Sequence, residues 1–375
     1  MIPNEITTNF REKYAEPLHQ EFLTMLEQSL EGSFDEITRG IIDLYHQFFE
    51  SVKQAQSNGK GSIAYVNFYL LRSSLKLGND TCLLCAYNKD WYLDTSPIER
   101  TYSAPFLFTP YYDYKKKLGD EMRKYIKHFT NADLDSLLLE KWNDYAPYMV
   151  LLLKSSIDKI IALPSYDFAK DTMFTINAGE YMDYVDTLRV EDNTEKILQY
   201  VKNILQGSFQ QNLRYLHLHN MDLSQIDCSE RDLSGSRFVN VDLQNNVMGA
   251  CLLIDAIFTS CDLKGAILAG SQIWCSNFSG SNLENADLSY ANIYSTPDYA
   301  KMSKKYFPKI KFSNANLCGA NLSHGNFSYS DFSGAKLKDC DFTEAILHNS
   351  IMDKSLESQL SLSDKQKGEI QWVTL

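Results

Sequence analysis

Large apolar residues recur at every fifth position from Leu213 to Ile293, and again from Phe312 to Met352. The first run holds seventeen such positions and the second nine. Runs such as Ser281-Asn282-Leu283-Glu284-Asn285 keep one order: a small residue, Asp or Asn, the large apolar residue, and two variable residues. From Ser236 to Ala291 the small position fails only at Asn246, and in the second run only at Ile310. A small residue fixed beside a large one predicts that both face a narrow interior whose volume must be matched, with the other positions in water. The lapses at Met221, Ile226, Cys228, Arg231 and Met248 lie mostly near the first repeats, where another element is expected to cover the end.

A longer period lies on top of the first. Phe238, Phe258 and Phe278 fall twenty apart, as do Leu223, Leu243, Leu263 and Leu283. Four repeats per coil would place like side chains above like, at the ~4.8 Å spacing of neighbouring strands. Fixed-period repeats build solenoids, whose extended surfaces serve binding. The predicted interior comprises Leu233, Phe238, Leu243, Leu253, Phe258, Leu263, Ile273, Phe278, Leu283, Leu288, Leu317, Leu322, Phe327, Phe332, Leu337 and Phe342. The 19-residue step from Ile293 to Phe312 is one repeat plus 14 residues, so a loop is expected at about 294–311.

Residues 1–210 show no such repeat. Phe22, Met25, Leu26 and Leu30 predict one helix, and Ile37, Ile41, Leu44, Phe48 and Val52 a second, with Ser33 as its cap. Leu118–His128, Asp133–Tyr145, Met149–Leu163 and Thr194–Leu205 also read as helices. A small hairpin is expected from Cys82–Tyr87, turning at Asn88-Lys89-Asp90 into Trp91–Leu93, and another in Phe174–Val190. In the tail, Ser363-Asp364-Lys365-Gln366 has capping-box spacing, and Leu356, Leu360, Ile370 and Trp372 supply an apolar face. The fold class is therefore multidomain α plus β. A mainly helical domain with a small β element covers 1–210, the repeats cover 211–353, and a short C-terminal helix in 354–375 caps the last coil or pairs two copies in a homodimer.

Charge narrows the function classes. The net charge of -12 argues against direct nucleic-acid binding, which rests on basic neutralisation of phosphates. Between Leu213 and Met352 lie 14 acidic and 11 basic residues, a net of -3. The segment 294–311 holds five lysines against Asp298, a net of +4, leaving -7 on the coils. The inserted segment is thus basic and aromatic, and Tyr299, Lys301, Lys304, Lys305, Tyr306, Phe307, Lys309 and Lys311 are its candidate partner-binding residues. No apolar run is long enough to span a membrane, and Met1–Lys13 lacks the pattern of a secretory leader, so a cytoplasmic location is expected.

No catalytic residue emerges. Cys82-Leu83-Leu84-Cys85 has redox or half-zinc spacing without a second half, and reads as two packed thiols. His217 and His219 flank an interior position and lack a third ligand. Neither G-x-S-x-G, H-E-x-x-H nor a P-loop occurs. Glu140, Asp144 and Glu191 read as solvated surface charge, and the aromatic run Phe106–Tyr114 as core. No cofactor or metal is expected.

The repeat resembles the pentapeptide-repeat proteins, with their A(D/N)LXX grammar. That resemblance implies a right-handed quadrilateral β-helix with the central residue and the small one pointing inward. Residues 1–210 and the tail are similar to bacterial members with a helical front domain, through Asp90-Trp91-Tyr92-Leu93-Asp94 and the segment Leu360–Val373. The resemblance implies a non-enzymatic protein-interaction scaffold. Its named version is an acidic DNA mimic that binds and protects DNA gyrase or topoisomerase IV. The competing expectation is an enzyme or peptide-processing module in the front domain, with the coils recruiting its substrate.

Overall fold

The computed structural model describes residues 5–125, 128–207, 212–292 and 309–374. The chain divides into two compact units, 1–189 and 190–375. Among the described residues no helix is long and apolar enough to cross a membrane.

In the first unit, one helix, α1 (Glu16–Ser57), carries a single buried stripe that includes Phe22, Leu26, Leu30, Ile41, Tyr45, Phe48 and Val52. The expected break at Ser33 is absent, because the 3–4 spacing continues on the same face across it. Strands β1 (Ile63–Leu70), β2 (Thr81–Tyr87) and β3 (Ile98–Ser103) follow, then α2 (Pro105–Met122) and α3 (Asn131–Ile161). Strands β4 (Lys170–Glu180) and β5 (Val185–Asp192) complete a five-stranded sheet of order β3-β2-β1-β4-β5. β2 lies antiparallel between β1 and β3, and β1 pairs with β4 in parallel.

Several sequence expectations are corrected here. The two helices expected over 133–163 are one, α3, which continues through Pro147 because Trp142, Tyr145, Tyr148 and Met149 keep one stripe buried on both sides. Helix α3 starts in a capping box, with the Asp133 carboxylate accepting from the Thr130 N–H at 2.7 Å. The small hairpin is instead a full sheet, and Trp91–Leu93 is a short 3-10 turn rather than a strand. The near-continuous apolar run of β1 suits a strand covered on both faces and lacks the alternation by which half-buried strands are recognised.

The turn belongs to a strap tied down by Asp94. Its carboxylate receives the Lys60 ammonium at 2.6 Å and the Asn88 and Ser96 N–H groups at 2.8 and 3.0 Å. Above the sheet, Trp91 stacks on Tyr65 with ring centroids 4.5 Å apart. On the same face, two and four residues further along β1, a polar chain runs to the strap. Asn177 Nδ2 donates to Asn67 Oδ1 at 2.7 Å, Asn67 Nδ2 to the Tyr69 hydroxyl at 2.6 Å, and the Tyr69 hydroxyl to that of Tyr92 at 3.0 Å. Satisfied in this way, the buried amides brace the sheet.

Helices α1, α2 and α3 pack together, and His19 sits buried among them. Its Nε2 lies 2.8 Å from Asp144 Oδ2, with Tyr114 and Tyr145 rings on either side. Burial lowers the pKa of the imidazole, and Lys141 adds to this; Asp144 and Glu16 oppose it without prevailing. A folded-state pKa below the ordinary value means that the stability contribution is present above the ordinary histidine range and is lost as pH falls through the folded value. Thermal melting of the protein between pH 7 and 5 should therefore show a falling midpoint, and His19→Gln should flatten that dependence.

The second unit begins with α4 (Leu198–Gln206), whose Val201 and Leu205 join the core of the coils. From there parallel bridges join residues twenty apart, as in Asp222 to Asp242, Asp242 to Asp262 and Val247 to Ile267. Past the insertion the step becomes 34, from Asn277 to Lys311, Asn282 to Asn316 and Asp287 to Asn321. The coil register is therefore kept across fourteen extra residues. Phe238, Phe258, Phe278, Phe312 and Phe332 form one stack, with centroids 4.7 to 5.4 Å apart and ring planes within 13°. All sixteen interior positions named from the sequence are buried.

The five-residue repeats share one corner conformation. Two places after the large residue the backbone is left-handed, from φ +52° at Asn220 to +70° at Gly235. In many repeats the following N–H returns to the large residue's carbonyl, as from Ser236 to Leu233 at 3.1 Å, the bond of a β-turn, whereas the Cys251 and Cys261 N–H groups donate to Ser271 and Ser281 Oγ of the next coil at 3.1 Å. Serines at the small position reach the coil before, with Ser271 Oγ donating to the Met248 carbonyl and Ser281 Oγ to that of Phe258, both at 2.8 Å. At the far end β6 (Ile351–Asp353) pairs in parallel with β7 (Gln371–Val373). Between them α5 (Asp364–Glu369) lays Gln366 on the last coil, where Nε2 donates to the Phe342 and Ala345 carbonyls at 2.8 and 2.9 Å.

Candidate binding surface

The Asp or Asn before each large residue has a physical task. Its side chain accepts from the N–H two residues on, as Asp222 does from Ser224 at 3.0 Å, Asp242 from Gln244 at 2.9 Å and Asn282 from Glu284 at 3.3 Å. Because the coils are in register, these side chains form ladders. On one wall Asp222, Asp242 and Asp262 lie above one another beside Asn220, Asn240 and Ser260, lining a shallow groove of about 360 Å³. The ladder continues in amides: Asn282 Nδ2 donates to Asp262 Oδ1 and Asn316 Nδ2 to Asn282 Oδ1, both at 2.9 Å. Hydroxyl and backbone donors from Ser224 and Ser229 hold the Asp222 and Asp227 carboxyls below the usual range.

Six positions break the rule with an apolar residue. Val247, Leu252, Ile257, Ile267, Ile346 and Ile351 stand where Asp or Asn belongs, and Leu252, Ile267 and Ile346 are 40%, 41% and 49% exposed. None of these side chains can accept the turn N–H, and each forgone bond costs roughly 0.5–1.5 kcal/mol. The small positions and the phase slip do not mark these residues; their signal in the sequence is an apolar residue directly before the large one.

Of the candidate contact residues, Tyr299, Lys301, Lys304, Lys305, Tyr306 and Phe307 lie outside the described residues. Lys311 is part of the coil, bridging Asn277 and Asp331, and Lys309 helps to lower the pKa of the Asp331 carboxyl. Cys82 and Cys85 are three apart on β2, so they face opposite sides of the sheet and cannot act as a pair. Burial raises both thiol pKa values, that of Cys85 to about 11. Glu140 pairs with Arg11 and Asp144 with His19, partners more than a hundred residues away rather than the neighbours in sequence. Phe108, Tyr111 and Tyr114 are buried on α2. Among the described residues no group of three or more His, Cys, Asp or Glu is placed to hold a metal ion.

Residues 248–285, 276–296 and 310–352 match the pentapeptide repeats family in eight copies. The chain is similar to the full-length structure of QnrB1, described as a plasmid-mediated fluoroquinolone resistance protein, at 19% identity and a TM-score of 0.30, over 43% of this chain and 92% of that one. It is also similar to HetL, from the cyanobacterium Nostoc sp. strain PCC 7120 and involved in heterocyst differentiation regulation. There the identity is 17% and the TM-score 0.15, over 42% of this chain and 98% of that one. No curated protein matches the chain.

Proposed function

We propose that this pentapeptide-repeat protein is a non-enzymatic scaffold that binds a protein through its coils, wound as a right-handed quadrilateral β-helix. Its partner in this reading is a type II topoisomerase, DNA gyrase or topoisomerase IV, whose DNA-binding surface the acidic wall occupies in part. The observation that carries the reading is the in-register ladder of Asp222, Asp242 and Asp262, fixed by its own turns.

Magnitudes set the scale of the mimicry. Carboxylates repeat at ~4.8 Å along the wall, whereas B-DNA carries one charge per ~1.7 Å. The wall thus offers about a third of the charge density of DNA. Such a surface competes for a basic groove without matching a full duplex, and its binding should weaken less steeply with salt than that of DNA.

Supercoiling by purified gyrase in the presence of a quinolone tests this directly. The protein is expected to restore supercoiling at near-stoichiometric amounts, and Asp222→Asn/Asp242→Asn/Asp262→Asn to lose at least tenfold in potency while keeping its melting temperature. Absence of both protection and binding, for gyrase and for topoisomerase IV, sinks the topoisomerase version.

A further inference from the structure

Three of the apolar intrusions in the ladders, Val247, Ile267 and Leu252, form one feature. Along one wall the bridged positions read Asp227, Val247, Ile267, Asp287, and on the next wall Leu252 stands above Asp232. Between Val247 and Leu252 the corner is Gly249-Ala250, and in the next coil Ala269-Gly270, so the corner itself carries only small side chains. At both ends the carboxylates are held in place, Asp227 by the Ser229 N–H and Asp287 by the Ser289 N–H, each at 3.0 Å. At strand spacing the two carboxylates stand about 14 Å apart.

Resting on the reading of the coils as a protein-binding scaffold, we propose that this band is the contact centre for a protein partner. The partner presents an apolar ridge flanked by Lys or Arg side chains about 14 Å apart. The argument is one of complementarity. Val247, Leu252 and Ile267 replace side chains that would have capped their own turns, and Val247 and Ile267 lie between the fixed carboxylates of Asp227 and Asp287. Interfaces concentrate binding energy in such small desolvated centres, with charged groups at the rim setting orientation.

The repeat supplies a clean test, because Val247→Asp/Leu252→Asn/Ile267→Asp puts the repeat's own residue at each position and should fold. A photo-crosslinking amino acid is placed at Ala250, a left-handed position of the kind filled by Tyr215 and Tyr290 elsewhere. A control probe replaces Tyr329, a left-handed position on another corner, away from both the band and the acidic wall. In the source cell the probe at 250 is expected to capture a protein segment with basic residues on either side of apolar ones, and the probe at 329 is not. The triple variant should abolish the crosslink and weaken binding of the purified partner at least tenfold.

No crosslink, a crosslink unchanged by the triple variant, capture of a segment without that pattern, or capture only of a second copy of this chain overturns the proposal. Capture of a matching segment in a protein other than a topoisomerase supports the band and removes the partner named above. Gyrase protection that is intact in the triple variant keeps the topoisomerase reading and overturns the band.

Discussion

Phe258→Ala should destabilise the coils by about 3–5 kcal/mol, the usual cost of removing a buried phenyl ring and leaving its cavity. The ring lies between Phe238 and Phe278, at 4.8 and 4.7 Å, with planes 1° and 4° from parallel. Stacked coils fix that separation through their backbone bridges, so the neighbouring rings cannot move together to fill the gap. The cavity term should therefore fall towards the upper end of its range. Hydrogen exchange of the amides in 238–278 against denaturant measures the loss. Leu252→Asn is the contrast: an exposed side chain exchanged for the repeat's own residue restores the turn bond and should leave stability unchanged or raise it by up to about 1.5 kcal/mol. A small effect at Phe258 would mean that the stack does not carry the coil's stability.

The second large effect is expected at Asp94. Removing one partner of a buried ion pair leaves the other charge uncompensated, at a cost of about 3–5 kcal/mol. The Asp94 and Lys60 side chains are 1% and 11% exposed, so this pair belongs to that class. Asp94→Ala strands the Lys60 ammonium and also frees the Asn88 and Ser96 N–H groups. The strap carrying Trp91 and Tyr92 should then lift from the sheet, which Trp91 fluorescence and proteolysis near residues 88–96 would report.

Acid should mimic the mutation. Burial alone would raise the Asp94 carboxyl, but Lys60 and the two backbone donors outweigh it and hold it below the ordinary carboxylate range. The contribution is then present above the ordinary carboxylate value and is lost only as pH falls through the lower folded one. Release of the strap at pH 5 would contradict this account.

How much could be read in advance differs between the two units. The coils were legible because a turn every five residues confines each choice to local chemistry: a large residue, a small one beside it, an oxygen to cap the turn. Even the fourteen-residue insertion shows as a phase slip, since the bridges on either side of it keep register. Left-handed backbone two places after each large residue was not inferred, although the recurrence of Gly and Asn there was its signal. In the first unit the local signals misled. Ser33 reads as a cap and Pro147 as a break, yet long buried stripes override both, because packing along a whole helix outweighs one unfavourable residue. Asp90–Asp94 stood out as a motif, but its role depends on Lys60, some thirty residues away in sequence.

The sequence by itself determined the coil, its period, its interior and its excess of acid, because each repeat is stabilised by neighbours a fixed number of residues away. Only the tertiary structure decided that Val247, Ile267 and Leu252 meet in one band between fixed carboxylates. A residue twenty positions off becomes a neighbour at ~4.8 Å only after the chain has closed a coil and backbone bridges have set its rise.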